Sequence, residues 1–195
     1  MEIKHPHRYG LLFMVSKKDY KYLNKYKKKL DPNIKFYMKK DFFDDVAPQH
    51  ISMCYFSYPN KYPEEVVSKL VPKIIEISKK YLPFKVKVKG LLGGWELGWD
   101  FPVIMWNITD FKMINEIHDE LVGVLKKDIE HFNDPKLDFD PHIGIALGDE
   151  TKIEELKKIV GESKKDPEFE LTIDRIYIFY PNGPKEIYDA SKGKS

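Results

Sequence analysis

The apolar pattern of this chain passes twice through one order: strand, helix, motif strand, helix, strand. Apolar spacings of two and of about 3.6 residues separate the two element types. In the first half, residues 9–15 form an apolar run of strand length, and residues 17–30 carry Tyr20, Leu23 and Tyr26 at near-helical spacing. Asp31-Pro32-Asn33 breaks that helix, and the polar stretch to Asp44-Asp45 reads as loop or irregular hairpin. Residues 49–56 are the next strand. Pro63-Glu64-Glu65 suits a first helical turn, with proline at the start and acids near the positive end of the dipole. Leu70, Val71, Ile74, Ile75 and Ser78 continue its stripe, although Pro72 falls inside it.

From residue 84 the spacing becomes strict alternation, with Phe84, Val86 and Val88 on one face and Lys85, Lys87 and Lys89 on the other. The second half opens with a glycine-rich turn over 90–98 and a strand over 101–108. Asp110 caps the longest helix, whose apolar face takes Phe111, Ile114, Ile117, Leu121, Leu125, Ile129 and Phe132, up to Asn133-Asp134-Pro135. A strand over 139–147, a helix over 151–160 closed by Gly161, and a strand or hairpin over 169–180 complete the order. The repeated order reads as a diverged tandem duplication. The expected fold class is α+β, with two pseudo-symmetric lobes whose antiparallel sheets form a central groove with helices outside. One bilobal domain is expected over 1–190, divided near 98/99, with 191–195 as a flexible tail.

Composition narrows the function classes. With 195 residues, 42% hydrophobic and 33% charged, the chain can bury a full core. Its 33 basic and 31 acidic residues give a net charge of +2, so no overall field favours nucleic acid or a membrane surface. The single Cys54 excludes an intramolecular disulfide and a cysteine-rich zinc site. The start, Met-Glu-Ile-Lys-His-Pro-His-Arg, lacks the apolar stretch of a signal peptide, and no run is long enough to span a bilayer. A cytoplasmic monomer with no membrane contact is the expectation. Only Arg8 and Arg175 offer planar guanidinium clamps for phosphate.

Two short motifs carry the chemistry: Pro48-Gln49-His50-Ile51-Ser52-Met53 and Asp140-Pro141-His142-Ile143-Gly144-Ile145. On a strand, side chains two apart share a face, so His50 points with Ser52 and His142 with Gly144, while Ile51 and Ile143 pack behind. The bland reading is a pair of strand histidines satisfied by buried hydrogen bonds. If the two strands are related by pseudo-symmetry, however, two imidazoles and a hydroxyl converge on one groove, an arrangement suited to a polar oxyanion.

With these motifs the chain resembles the two-histidine phosphoesterase superfamily, whose members carry a His-hydrophobic-Ser/Thr-hydrophobic motif in each lobe. The branch resembling 2′-5′ RNA ligases is nearest, and the likeness extends over roughly residues 8–188. It implies a phosphodiesterase acting on 2′,3′-cyclic or 2′-5′-linked nucleotides or RNA ends, needing no metal or other cofactor. In that reaction one imidazole is the base, the other the acid, and Ser52 donates to a nonbridging oxygen. The departure is Gly144, where the pattern has Ser or Thr. An RNA- or nucleotide-binding module with weakened catalysis is therefore the alternative.

Around the histidines, Gly144, Tyr180, Trp95, Arg8 and Lys89 are candidate substrate contacts. Glycine permits close backbone approach, and Trp95 or Trp99 could stack a base. Lys85, Lys87 and Lys89 form a basic strand face. His118 falls on the apolar stripe of the long helix and His131 off it. His5-Pro6-His7 could offer two metal ligands without an evident third, which makes a metal hydrolase the third reading.

Overall fold

The computed structural model describes residues 7–37, 49–58, 64–126, 140–180 and 183–192. The strands β1 (His7–Val15), β2 (Ile34–Tyr37), β3 (His50–Tyr58) and β4 (Phe84–Gly93) lie in the first half of the chain. The second half supplies β5 (Val103–Ile108), β6 (Ile143–Gly148), β7 (Phe169–Tyr180) and β8 (Gly183–Asp189). The helices are α1 (Asn24–Leu30), entered through a 3-10 turn at Lys17–Leu23, α2 (Glu64–Lys79), α3 (Lys112–Leu125) and α4 (Ile153–Ser163). The result is a mixed α+β fold on one antiparallel sheet. Apart from β2 and β8, the order β1-α1-β3-α2-β4 recurs as β5-α3-β6-α4-β7.

Pairing follows the order β1-β3-β6-β5-β4-β7, and β7 pairs back onto β1, so the ladder runs in a circuit. Thr172 in β7 shows how β7 serves two neighbours. Its carbonyl accepts from Ser16 N at 2.7 Å on the β1 side, while Phe84 and Val86 of β4 pair with Ile173 and Leu171. Two further strands flank the circuit, β2 beside β6 and β8 beside β7.

Alternation separates two faces. Leu11, Phe13 and Val15 of β1, with Ile176, Ile178 and Tyr180 of β7, join the main core. That core also takes Leu70 and Ile74 of α2, Ile117 and Leu121 of α3, and Leu156 of α4. Leu12, Met14 and Tyr177 form a separate small cluster on the opposite face. This second face carries the motif histidines.

Three local expectations change. The segment read as loop or irregular hairpin contains β2, whose four residues gain their strand from pairing with β6 and not from any pattern of their own. Phe111 sits at the N-cap of α3, one residue ahead of the helix, and is 38% exposed, although Asp110 Oδ1 does accept from Lys112 N at 3.0 Å. Gly161 does not end its helix, which continues to Ser163, and a β-carbon at this glycine would meet nothing within 4 Å. Ile129 and Phe132 lie outside the described residues.

Candidate active site

A single pairing sets the geometry of the site. Ile51 of β3 faces Ile143 of β6 in antiparallel register, and both side chains are fully buried on the core side. One step outward along an antiparallel ladder, His50 falls opposite Gly144 and Ser52 opposite His142, all on the other face. The two imidazoles then stand on a diagonal, with backbones about 7–8 Å apart. His50, Ser52 and His142 are each half-buried, which leaves them reachable by a ligand.

The same rows continue into the neighbouring strands. His50 faces Met14 of β1, which in turn faces Arg175 of β7; Ser52 faces Leu12, which faces Tyr177. Gly144 faces Met105 of β5 on its other side. Met14 and Met105 are completely buried and Leu12 nearly so. His50 is therefore bounded along its row by apolar groups, with the glycine gap on the β6 side.

His142 is held differently. Its Nδ1 lies 2.9 Å from the carbonyl oxygen of Asp140. A carbonyl can only accept, so Nδ1 carries the proton and Nε2 is the ring nitrogen left to exchange protons with a ligand. The Trp99 ring meets the imidazole edge-on at 5.1 Å and 80°. Phe101 packs on Trp99 at 5.6 Å, tilted by 35°, and is 52% exposed.

Trp99 owes its place to the turn after β4. Gly98 takes a left-handed φ of 76°, and Trp99 N returns to the carbonyl of Gly94 at 3.0 Å. A β-carbon at Gly94 would lie 3.1 Å from the Trp99 ring, so the missing side chain makes room for the indole.

The remaining sequence candidates divide. Trp95 packs over Gly93, where a β-carbon would come within 2.2 Å of its ring, and belongs to the edge of the main core. The tryptophan beside the histidine is Trp99. Tyr180 is corrected too: it is 7% exposed, edge-on to Tyr9 at 5.8 Å, and lies on the core face, because alternation gives the histidine face Tyr177 and Phe179. Lys89 is exposed, and its backbone carbonyl accepts from Asn107 Nδ2 at 3.1 Å. Asn107 itself falls opposite His142 when the Trp106 to Ile143 pairing is extended by one residue. Sequence reading missed it, and only the β5 to β6 register reveals it.

Arg8 lies in β1 opposite Ser57, and its side chain is outside the described residues. Arg175 is 5% exposed and consumed by the fold, donating from Nη2 to Val15 O at 2.7 Å and from Nε to Asp174 at 3.1 Å. Burial works against its charge, but Asp174 and Tyr20 outweigh that and hold the guanidinium firmly protonated.

His118 sits against its neighbour Asp119 at 3.1 Å, while His5 and His131 lie outside the described residues. Among the described residues no group of three or more His, Cys, Asp or Glu side chains converges as a metal site. None of the described helices is long and apolar enough to cross a membrane.

No family model matches the chain. A Bacillus licheniformis protein designated a phosphoesterase is 25% identical over 188 residues, spanning 93% of this chain and 96% of its own length. Usb1 of Kluyveromyces marxianus shares the fold with a TM-score of 0.56 and 10% identity, over 93% of this chain and 97% of its own. The same protein solved with uridine monophosphate gives 0.56 and 10%, over 96% and 100%. The chain thus shares the mixed α+β fold of Usb1 and is similar, over nearly its full length, to a protein designated a phosphoesterase.

Proposed function

We propose that this chain is a phosphodiesterase that opens 2′,3′-cyclic or 2′-5′-linked phosphodiesters of nucleotides or RNA ends, with reversible ligation where a ribose hydroxyl takes the place of water. The pairing of Ile51 with Ile143 carries this reading, since it brings His50, His142 and Ser52 to one face. Water attacks phosphorus while the neutral imidazole takes its proton. The bond from phosphorus to the departing ribose oxygen breaks as the protonated imidazole gives that oxygen its proton, each transfer being worth about 10²–10⁴-fold. The charge that grows on a nonbridging oxygen accepts from the Ser52 hydroxyl. Every proton has a protein donor or acceptor, so the scheme calls for no metal.

The nucleotide part of the reading draws on Trp99 and the exposed Phe101 beside His142. Stacking a base on an aromatic ring is worth roughly 1–3 kcal/mol. Usb1, whose fold this chain shares, has been solved with uridine monophosphate.

One observation favours a second reading. Gly144 faces His50 without a hydroxyl, and losing one oxyanion donor costs roughly 2.7–4 kcal/mol of transition-state stabilisation. On that reading the chain binds RNA or nucleotides without efficient turnover. Incubation with 2′,3′-cyclic nucleotides, cyclic dinucleotides and 2′-5′ oligomers, in the presence of a chelator, decides between the two. The phosphodiesterase reading expects product from the wild type and almost none from His50→Ala or His142→Ala. Equal yields from all three proteins would defeat it, and affinity without product in a single-turnover assay would establish the binding module.

A further inference from the structure

Beneath the histidine face, on the core side of the sheet, one buried hydrogen bond links the residue ahead of β3 to β5, across β6. Gln49, the residue before His50, is 2% exposed, and its Oε1 accepts from Trp106 Nε1 at 2.7 Å. Trp106 is fully enclosed in β5 and pairs with Ile143, the residue after His142. Ile143 pairs in turn with Ile51, the residue after His50. The backbones that carry the imidazoles are thus joined twice, once by the ladder and once by an indole that reaches past β6 to Gln49. The Gln49 carbonyl is engaged as well, accepting from Val15 N at 3.0 Å. Main chain holds this residue on the β1 side and side chain on the β5 side.

Trp106 is itself immobilised. Tyr26 meets its ring at 5.9 Å and Phe169 at 5.4 Å, both edge-on. The Tyr26 hydroxyl donates to Asp166 at 2.5 Å, and Lys25 pairs with the same carboxylate at 2.7 Å. Phe169 stacks on Tyr22 at 4.3 Å. An indole clamped on two sides presents its N–H from a fixed point.

An apolar side chain of the size of Gln49 would fill this space without needing a partner, whereas a buried amide demands one. What the amide adds is directionality, because a hydrogen bond fixes distance and angle where dispersion leaves both loose. We infer that Gln49 and Trp106 are positioning residues that set the separation of the two imidazoles, an inference that rests on the phosphodiesterase reading above. Neither residue touches substrate, so neither is a catalytic residue.

The test uses Gln49→Met, Trp106→Phe and the double variant. Each single change leaves a buried group unpartnered and lowers the thermal midpoint, while the double variant removes both partners and recovers part of the loss. On a 2′,3′-cyclic nucleotide, kcat is expected to fall on the order of 10²-fold in all three, with KM nearly unchanged, since a misplaced group costs rate before binding. Activity that returns together with stability in the double variant would overturn the inference.

A second measurement needs no turnover. Titrating inorganic phosphate while following the imidazole proton resonances should move His50 and His142 together with one dissociation constant in the wild type, and separately or weakly in the double variant. Identical titrations of the two proteins overturn the positioning role. A wild type that binds phosphate at both rings and yields no product overturns the phosphodiesterase reading alone. A wild type whose rings ignore phosphate overturns both.

Discussion

His50 lies at the start of β3, with β1 on one side and β6 on the other, whereas His142 stands one residue before β6 begins. The first is bounded by completely buried Met14 and fixed from beneath through Gln49. The second is oriented by the Asp140 carbonyl and by the edge of Trp99. Where ladders grip the backbone, the flanking side chains can be apolar. Where the strand has not yet started, contacts made by the ring itself must aim it. The His50 half should therefore be sensitive to changes in the core, and the His142 half to changes at the ligand-facing surface.

The largest effect expected is common to both halves. His50→Ala and His142→Ala should each lower initial rates on a 2′,3′-cyclic nucleotide by about 10²–10⁴-fold. A variant that kept the wild-type rate would break the pairing. Next comes the hydroxyl present on one side only: Ser52→Ala should lower kcat by about 10²–10³-fold. Gly144→Thr, which adds a hydroxyl to the other side, should leave turnover of simple cyclic phosphates unchanged or raise it. A large loss would mean that the buried glycine is needed for its lack of bulk.

Trp99→Ala sharpens the comparison at the surface. KM for nucleoside cyclic phosphates should rise roughly tenfold, with little change for a cyclic phosphate that has no base. Equal losses on both substrates would make Trp99 a prop for His142 and not a base contact.

Four positions after each motif histidine stand Cys54 on β3 and Ala146 on β6, both buried. Burial pushes the Cys54 thiol from its ordinary 9.0 up to about 12. The folded state then holds this proton more tightly than the unfolded chain. Its contribution to stability is complete below pH 9.0 and is lost as pH rises towards about 12. Cys54→Ala should flatten the alkaline decline of the denaturation midpoint, while Ala146 gives the β6 half no such dependence.

Much of this was legible in the sequence. Alternation and helical stripes located β1, β3, β4, β5, β6 and β7, and the repeated order expected both histidines on middle strands, where the structure has His50 at the start of β3 and His142 one residue ahead of β6. Facing is what alternation leaves open. Tyr180 and Tyr177 are equally plausible on paper, and only the pairing of β7 with β1 shows which of them shares a face with Leu12 and Ser52. Trp95 and Trp99 differ by four positions in one turn, and the left-handed Gly98 decides which of them reaches His142. Asn107 carries no pattern at all, since its position beside His142 is a property of register.

The circuit of strands has a consequence for synthesis. Arg175 bonds to Val15 across 160 residues, and β1 finds one of its two neighbours only in β7. A nascent chain emerging from the ribosome can pair β1 with β3 early, yet the other edge of β1 stays open until almost the whole sequence has been translated. Contacts so distant along the chain slow folding and expose apolar strand edges in the interval. Truncation before β7 should therefore yield an aggregating product and not a smaller working unit, whatever symmetry the two halves display.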